Sequence, residues 1–308
     1  MGGVVILGVF VADTSYRAER LPRMGETLLG KSFALGPGGK GSNQAVAAAR
    51  AGAGVHFVSR LGDDAFAEMA MELWVGAGVV PAVRRDPDSY TGAAFVFVEE
   101  ATGENAIVIS PGAAGEISAG DVEENRGLIA GADVFVTQLE QPVDVAMQAL
   151  GVARAEAVRT VLNPAPAAAL PEGMLGLCDF VTPNESEAEA LVGFPVRSVA
   201  EAEAAAKALV AAGAGAAIVT LGDKGALYFD GARIVHVAAF DAGPVVETTG
   251  AGDAFNGGFA AALVEGYAPV EAVRFGCAAA AISVTRPGTA QSMPTRDEIV
   301  ALLAGAGG

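Results

Sequence analysis

The stretch ETTGAGDAF, residues 247–255, sets two glycines and an alanine in front of an aspartate and then opens a run with helical spacing. Ala254, Phe255, Gly258, Phe259, Ala262 and Leu263 fall on one face of that run, which puts Asp253 in its first turn. Gly250 and Gly252 free the backbone, so the amides of Gly250, Ala251 and Gly252 can converge at the positive end of the helix as an anion hole. A carboxylate beside such a hole repels a bound phosphoryl group unless it has a chemical role. Asp253 is therefore read as a general base, accepting a proton from an attacking hydroxyl while the amides hold the phosphoryl in transfer. The competing reading is an N-cap, which would not need the Gly-Ala-Gly approach.

A second constellation is GPGGKGSN, residues 36–43. Gly36, Gly38 and Gly41 satisfy GxGxxG, but a dinucleotide fingerprint should follow the first strand directly, and here a long insertion intervenes. A phosphate-binding Walker loop is excluded because Lys40 is followed by Gly41. What remains is a flexible loop opening a helix. It carries Lys40 and Asn43 to where they can read the hydroxyls of a small polar molecule. A nicotinamide-dependent oxidoreductase would rest on the glycine pattern alone.

These residues need elements to hold them. Short β-branched runs at 4–8, 55–62, 133–140, 159–163, 179–184 and 216–222 alternate with Ala-rich helical stretches. That order implies an α/β fold, a doubly wound and mostly parallel sheet flanked by helices. Gly62 with Asp63, Gln138 with Glu140, Asn163, Asn184 with Glu187, and Thr220 with Gly222 all fall at carboxyl ends of these strands, the edge where open α/β sheets bind ligands. Residues 14–37 lack helical periodicity and 91–110 read as a β-hairpin, together a small β-sheet and a lid candidate. A further hairpin over 226–237 is expected to turn in two residues at Asp230-Gly231, and VVET at 245–248 reads as strand-like.

Composition narrows the function. The chain has 308 residues, 52% hydrophobic and 18% charged, enough for a large core. Its net charge of −17 argues against a nucleic-acid partner. A small polyanion is compatible if a metal ion and backbone amides supply positive potential. The two histidines, His56 and His236, lie in strand-like runs, so triads and zinc-binding HExxH chemistry have no material. Cys178 and Cys277 are far apart and form no CxxC. No apolar stretch approaches the ~20 residues of a membrane span. The N-terminal apolar run lacks a basic leader, so a soluble, cytoplasmic protein is expected.

With GETLLG, GPGGKGSNQAVAAARAGA, TGAAFVFV, TQLEQP, LNPAPA, TPNESEAE, VTLGDKGA, TTGAGDAFNGGF and AAAAISVTRPGTAQS in this order, nearly the whole chain resembles the ribokinase-like sugar kinase family. The resemblance implies one α/β domain over 1–308, with a lid inserted from about 13–37 and 90–110. It implies Asp253 as catalytic base and Gly250, Ala251 and Gly252 as the anion hole. Asp13, Gly39, Lys40, Asn43, Glu140 and Asp253 match sugar-binding positions, with Val11 at a further one. Asn184, Thr220, Gly222, Gly225, Gly252 and Cys277 match ATP-binding positions, and Glu187 the magnesium region. Glu247, Thr249, Ser283, Arg286, Gly288 and Ser292 match a monovalent-cation site, partly through backbone. Three positions depart from the family pattern: Val11 for Asn, Glu247 for Asp, and Cys277 for a larger polar ring. The implied activity is ATP-, Mg2+- and K+-assisted phosphorylation of the primary hydroxyl of a pentose, D-ribose first. Deoxyribose, another sugar or a nucleoside stand as alternatives, as does a sensor without turnover. The implied assembly is a homodimer through the lid.

Overall fold

The structure, a computed structural model, describes residues 3–306. Its strands, in chain order, are β1 (Val4–Leu7), β2 (Val11–Ala18), β3 (Ser32–Gly38), β4 (Val55–Gly62), β5 (Val79–Asp86), β6 (Thr91–Glu99) and β7 (Asn105–Gly112). They continue with β8 (Val134–Thr137), β9 (Arg159–Leu162), β10 (Phe180–Val181), β11 (Ala216–Thr220), β12 (Ala226–Phe229) and β13 (Ile234–Val237). Nine form one sheet in the order β13-β12-β11-β10-β9-β8-β1-β4-β5, parallel except at β12 and β13. The other four form a separate small sheet, β3-β2-β6-β7.

Parallel strands buried on both faces must be apolar on both. β1 meets this by strict alternation: Val4 and Ile6 join one core cluster, Val5 and Leu7 the other. The chain winds outward from β1 through β4 to β5, then returns beside β1 with β8 and winds outward the other way through β11. The β1/β8 junction is thus the switch point, where a crevice opens at the strand ends. Gly8 follows β1 there, and a side chain on it would collide with Gln138 Oε1 at 2.5 Å and the Gly41 Cα at 2.7 Å. Two glycines therefore bring the helix Lys40–Arg50 down onto the crevice.

That helix is held from two sides. A Cβ at Gly257 would lie 2.4 Å from the Ala47 Cβ, so the helix Ala251–Val264 packs against Lys40–Arg50 almost backbone to backbone. On the other flank Trp74 packs edge-on against Phe10 and Phe57 and donates its indole N–H to Ser42 Oγ at 2.9 Å.

Three local expectations need correction. Residues 245–248 are not a strand, because the amides of Val246 and Glu247 both donate to one carbonyl, that of Val284. The 226–237 hairpin turns in four residues, since Phe229 pairs with Ile234, and the Asp230 carboxylate accepts from the amides of Ala232 and Arg233 inside the turn. β5 was not foreseen. Pro81 breaks its pattern, and proline is tolerated there because β5 is an edge strand. Both histidines do lie in strands, His56 in β4 and His236 in β13, with the His236 ring against the Lys224 carbonyl. No helix among the described residues is long and apolar enough to cross a membrane.

Candidate functional site

The helix Ala251–Val264 starts from Gly250, whose φ of 84° is open to glycine and strained for other residues. Asp253 is therefore the third residue of the helix and does not cap it. Its carboxylate is buried and held by two side-chain amides. Asn43 Nδ2 donates to Oδ2 and Gln44 Nε2 to Oδ1, each at 3.0 Å. Burial pushes its pKa up, against the opposing pull of the Lys40 charge and these two hydrogen bonds.

The glycines around Lys40 have packing duties. A Cβ at Gly38 would fall 2.2 Å from Asp13 Oδ2, and Gly39, at φ 90°, abuts the Val9 carbonyl. The loop can thus pass under Asp13 and let the Lys40 amide donate to Glu140 Oε2 at 2.8 Å. Burial raises Asp13 to about 6. Glu140 rises to about 7 by burial, with Lys40 resisting and the charges of Asp253 and Asp13 adding to the rise. Burial lowers the Lys40 pKa, but Asp253, Glu140 and Glu187 outweigh it and hold the ammonium above its ordinary value. Five charged groups from remote parts of the sequence thus act on one another.

A cavity of about 130 Å³ opens beside three of them, Lys40, Glu187 and Asp253, while Asp13 and Glu140 lie outside its lining. Lys40, Asn163, Ala165, Thr182, Asn184, Glu187, Thr220, Gly250, Gly252, Asp253 and Asn256 line it. Asn184 caps the helix Glu185–Val192, accepting from the Glu187 amide, while the Glu187 carboxylate accepts from the Asn184 backbone and side-chain amides. Burial raises the Glu187 pKa. Thr220 ends β11 and bridges to Asn184. The anion-hole amides are unequal: Ala251 donates to the Thr248 carbonyl at 3.2 Å, whereas those of Gly250 and Gly252 make no such bond among the described residues.

Other expected residues lie apart from the cavity. Gly225 is required by packing, since a Cβ there would meet the Val237 carbonyl at 2.0 Å. Gly222 opens the short turn after β11. Cys277 is buried in the core, which pushes its thiol up to about 12. Val11 is 3% exposed and shares with Asp13 one face of β2. Among the residues expected at a cation site, Glu247 Oε2 accepts from the Gly288 amide at 2.8 Å. Ser283 and Ser292 turn their hydroxyls onto the carbonyls of Ala280 and Thr289. The Arg286 guanidinium pairs with Glu298, so it offers only its backbone to a cation, and Thr249 is exposed.

Two residues escaped sequence reading. Gln44 sits in an Ala-rich helix where glutamine is an ordinary helix former. Asn256 accepts from Thr182 Oγ1 at 2.6 Å and donates to the Gly252 carbonyl at 2.8 Å, bracing the glycine turn.

A carboxylate beside open amides and a single lysine suits transfer of an anionic group to a hydroxyl. Residues 1–296 match the pfkB family carbohydrate kinase pattern. The chain belongs to this family. The ribokinase of Haemophilus influenzae is 38% identical over 301 residues, covering 97% of this chain and 98% of that one. A deoxyribokinase of Salmonella typhi is 36% identical over 297 residues, 96% of each chain. The structure of Arabidopsis thaliana ribokinase complexed with ribose and ATP matches with a TM-score of 0.91 at 33% identity, covering 98% of this chain and 99% of that one. This carbohydrate kinase therefore has the α/β fold of those proteins, and its reaction is phosphoryl transfer to a sugar hydroxyl.

Proposed function

We propose that this kinase transfers the γ-phosphoryl of ATP to O5 of a pentose, D-ribose before 2-deoxyribose. The observation that carries the reading is the buried Asp253 carboxylate, aimed into the same cavity as the open amides of Gly250 and Gly252. Asp253 takes the hydroxyl proton as the oxygen attacks, and the amides receive the phosphoryl charge. Asp13, Gly39, Lys40, Asn43 and Glu140 hold the sugar. Asn43 Oδ1, buried and without a protein partner, is an acceptor ready for a sugar hydroxyl. The relatives named ribokinase and deoxyribokinase agree with a pentose. The second of these, together with the apolar Val11 on the Asp13 face, keeps 2-deoxyribose as the alternative.

Asn184, Thr220, Gly222, Gly225, Gly252 and Cys277 form the nucleotide side. No cluster of three or more His, Cys, Asp or Glu among the described residues could hold a metal by itself, and Lys40 is the only cation lining the cavity. That donor set fits a magnesium ion arriving with the nucleotide, with Glu187 the nearby carboxylate. When bound, magnesium offsets the charge of the triphosphate. Glu247, with the carbonyls of Ser283, Arg286, Gly288 and Ser292 and with Thr249, fits a potassium ion whose charge supports the adjacent anion hole.

The unit is one domain, 1–308, with the small sheet as its lid. Residues 1–2 and 307–308 of that span lie outside the described residues. Tyr16, Phe33, Phe95 and Val108 are exposed on one face of the small sheet, a patch that suits a second copy of the chain in a homodimer. The cytoplasm is the proposed location.

The test is an ATP-consumption screen over ribose, 2-deoxyribose, fructose, fructose phosphates and nucleosides, run in potassium and in a bulky organic cation. Ribose should give the highest kcat/KM, deoxyribose the next, with faster rates in potassium. A preferred nucleoside or fructose phosphate would overturn the pentose, and equal rates in both salts would remove the cation site.

A further inference from the structure

Asp253 is read above as the base, and its two oxygens are not equivalent. Oδ1 accepts from Gln44 Nε2 and Oδ2 from Asn43 Nδ2, both at 3.0 Å. The amide behind Oδ1 is saturated. The same Gln44 Nε2 also donates to Asn163 Oδ1 at 3.0 Å, and Gln44 Oε1 accepts from Gln138 Nε2 at 2.6 Å. Asn163 in turn donates to the Thr182 carbonyl at 3.0 Å. The amide behind Oδ2 is not saturated, since Asn43 Oδ1 is buried with no partner.

An ionised carboxylate can only accept, which fixes the direction of this chain. Gln44 must turn its NH2 to Asp253, so its oxygen must face Gln138, which must turn its own NH2 inward. Gln44, Gln138 and Asn163 are all buried, so a lost link leaves a polar group short of its protein partner. Asn163 and Gln138 come from the ends of β9 and β8, the rigid floor of the crevice.

Resting on the reading of Asp253 as base, we propose that Gln44 is its positioning residue: it holds Oδ1 and leaves Oδ2, on the Asn43 side, to receive the sugar proton. Gln44 need not touch the sugar. Its contribution is to fix the rotation of the carboxylate and to favour the charged form, because a hydrogen bond to a carboxylate stabilises it over the acid. The charged groups around Asp253 are Lys40 from the same helix, Glu140 after β8 and Glu187 from the helix that Asn184 caps.

The experiment is the pH profile of kcat at saturating sugar and ATP for wild type, Gln44→Met and Asp253→Asn. Saturating sugar keeps Asp13 and Glu140 covered while the acidic limb is read. Gln44→Met should move that limb up by about one pH unit, the equivalent of about a tenfold change in ionisation. At the plateau it should lower kcat by roughly tenfold while leaving the sugar KM within about threefold. A purely structural role would lower the amount of folded enzyme without moving the limb. An unmoved limb with Asp253→Asn inactive overturns the role of Gln44 alone. An Asp253→Asn enzyme that keeps substantial kcat overturns the base reading beneath it. If Gln44→Met does not fold, Gln138→Met carries the test from one link further out: a smaller upward shift supports the proposal, and none refutes it.

Discussion

Asp253 and Asp13 are both withdrawn from water, yet each oxygen of Asp253 has an amide donor and Asp13 has no side-chain hydrogen bond among the described residues. The first stands on the large sheet's side, where strand ends and two tightly docked helices meet. The second stands on the small sheet, packed close over Gly38. The Asp253 side, the proposed catalytic one, is thus assembled without a ligand, as electrostatic preorganisation requires. The Asp13 side lacks such donors, and under the proposed function the hydroxyls of the sugar supply them. Desolvating a carboxylate without a partner is costly, and a sugar bound at Asp13 as proposed would offset that cost.

The largest effect should follow from breaking the complete side. Asp253→Asn is expected to lower kcat by about 100- to 10,000-fold, the usual contribution of a general base, with ATP affinity nearly unchanged. Steady-state kinetics and calorimetric titration with ATP check this. Retention of more than about a third of the turnover would make the ordered side mere scaffolding.

Asp13→Asn tests the other side and should raise stability at neutral pH. The folded chain keeps the Asp13 proton up to about pH 6, above the ordinary value of 3.8. A raised folded pKa means that stability is full below about pH 4 and is lost as pH rises through about 6. The neutral variant escapes that loss, so at pH 7.5 it should gain at most about 3 kcal/mol, from about 1.4 kcal/mol per pH unit. At pH 4 the gain should vanish. The same variant should bind sugar poorly. Denaturant melts at the two pH values decide the matter, and equal stabilities at pH 7.5 would mean that Asp13 is not carrying an uncompensated charge.

The smallest effect concerns discrimination within the sugar side. Val11 has only apolar contact to offer, and its Cγ1 already lies 3.0 Å from where a Cβ on Gly92 would stand. Val11→Asn should raise the ribose-to-deoxyribose ratio of kcat/KM, by about 5- to 150-fold if one buried hydroxyl gains its bond at about 1–3 kcal/mol. An unchanged ratio would place the 2-hydroxyl elsewhere.

Much of the scaffold was legible in the sequence because it obeys local rules. VHFVSRLG at 55–62 reads as a buried strand and spans β4 end to end. The helical spacing of the apolar residues in DAFNGGFAAALV places Asp253 in a helix's first turn, as the structure has it. Local rules failed where a distant partner decides. VVET has strand composition, but the carbonyl of Val284 takes two of its amides, those of Val246 and Glu247. The Asp230-Gly231 pair signals a tight turn, but the Asp230 side chain organises a longer one. Gln44 carries no local signal of its role, because its partners Gln138, Asn163 and Asp253 are about 100 to 200 residues away and meet only at the switch point.

The one tryptophan of the chain, Trp74, donates its indole N–H to Ser42, the residue before Asn43. Indole emission is sensitive to that hydrogen bond and to the polarity around the ring, and here the ring is fully buried between Phe10 and Phe57. The protein therefore carries an intrinsic fluorophore wired to the first turn of the helix Lys40–Arg50, the helix proposed to read the sugar. A shift of that turn when sugar or nucleotide arrives translates into a change of colour or intensity, with no label attached and no second tryptophan to obscure it.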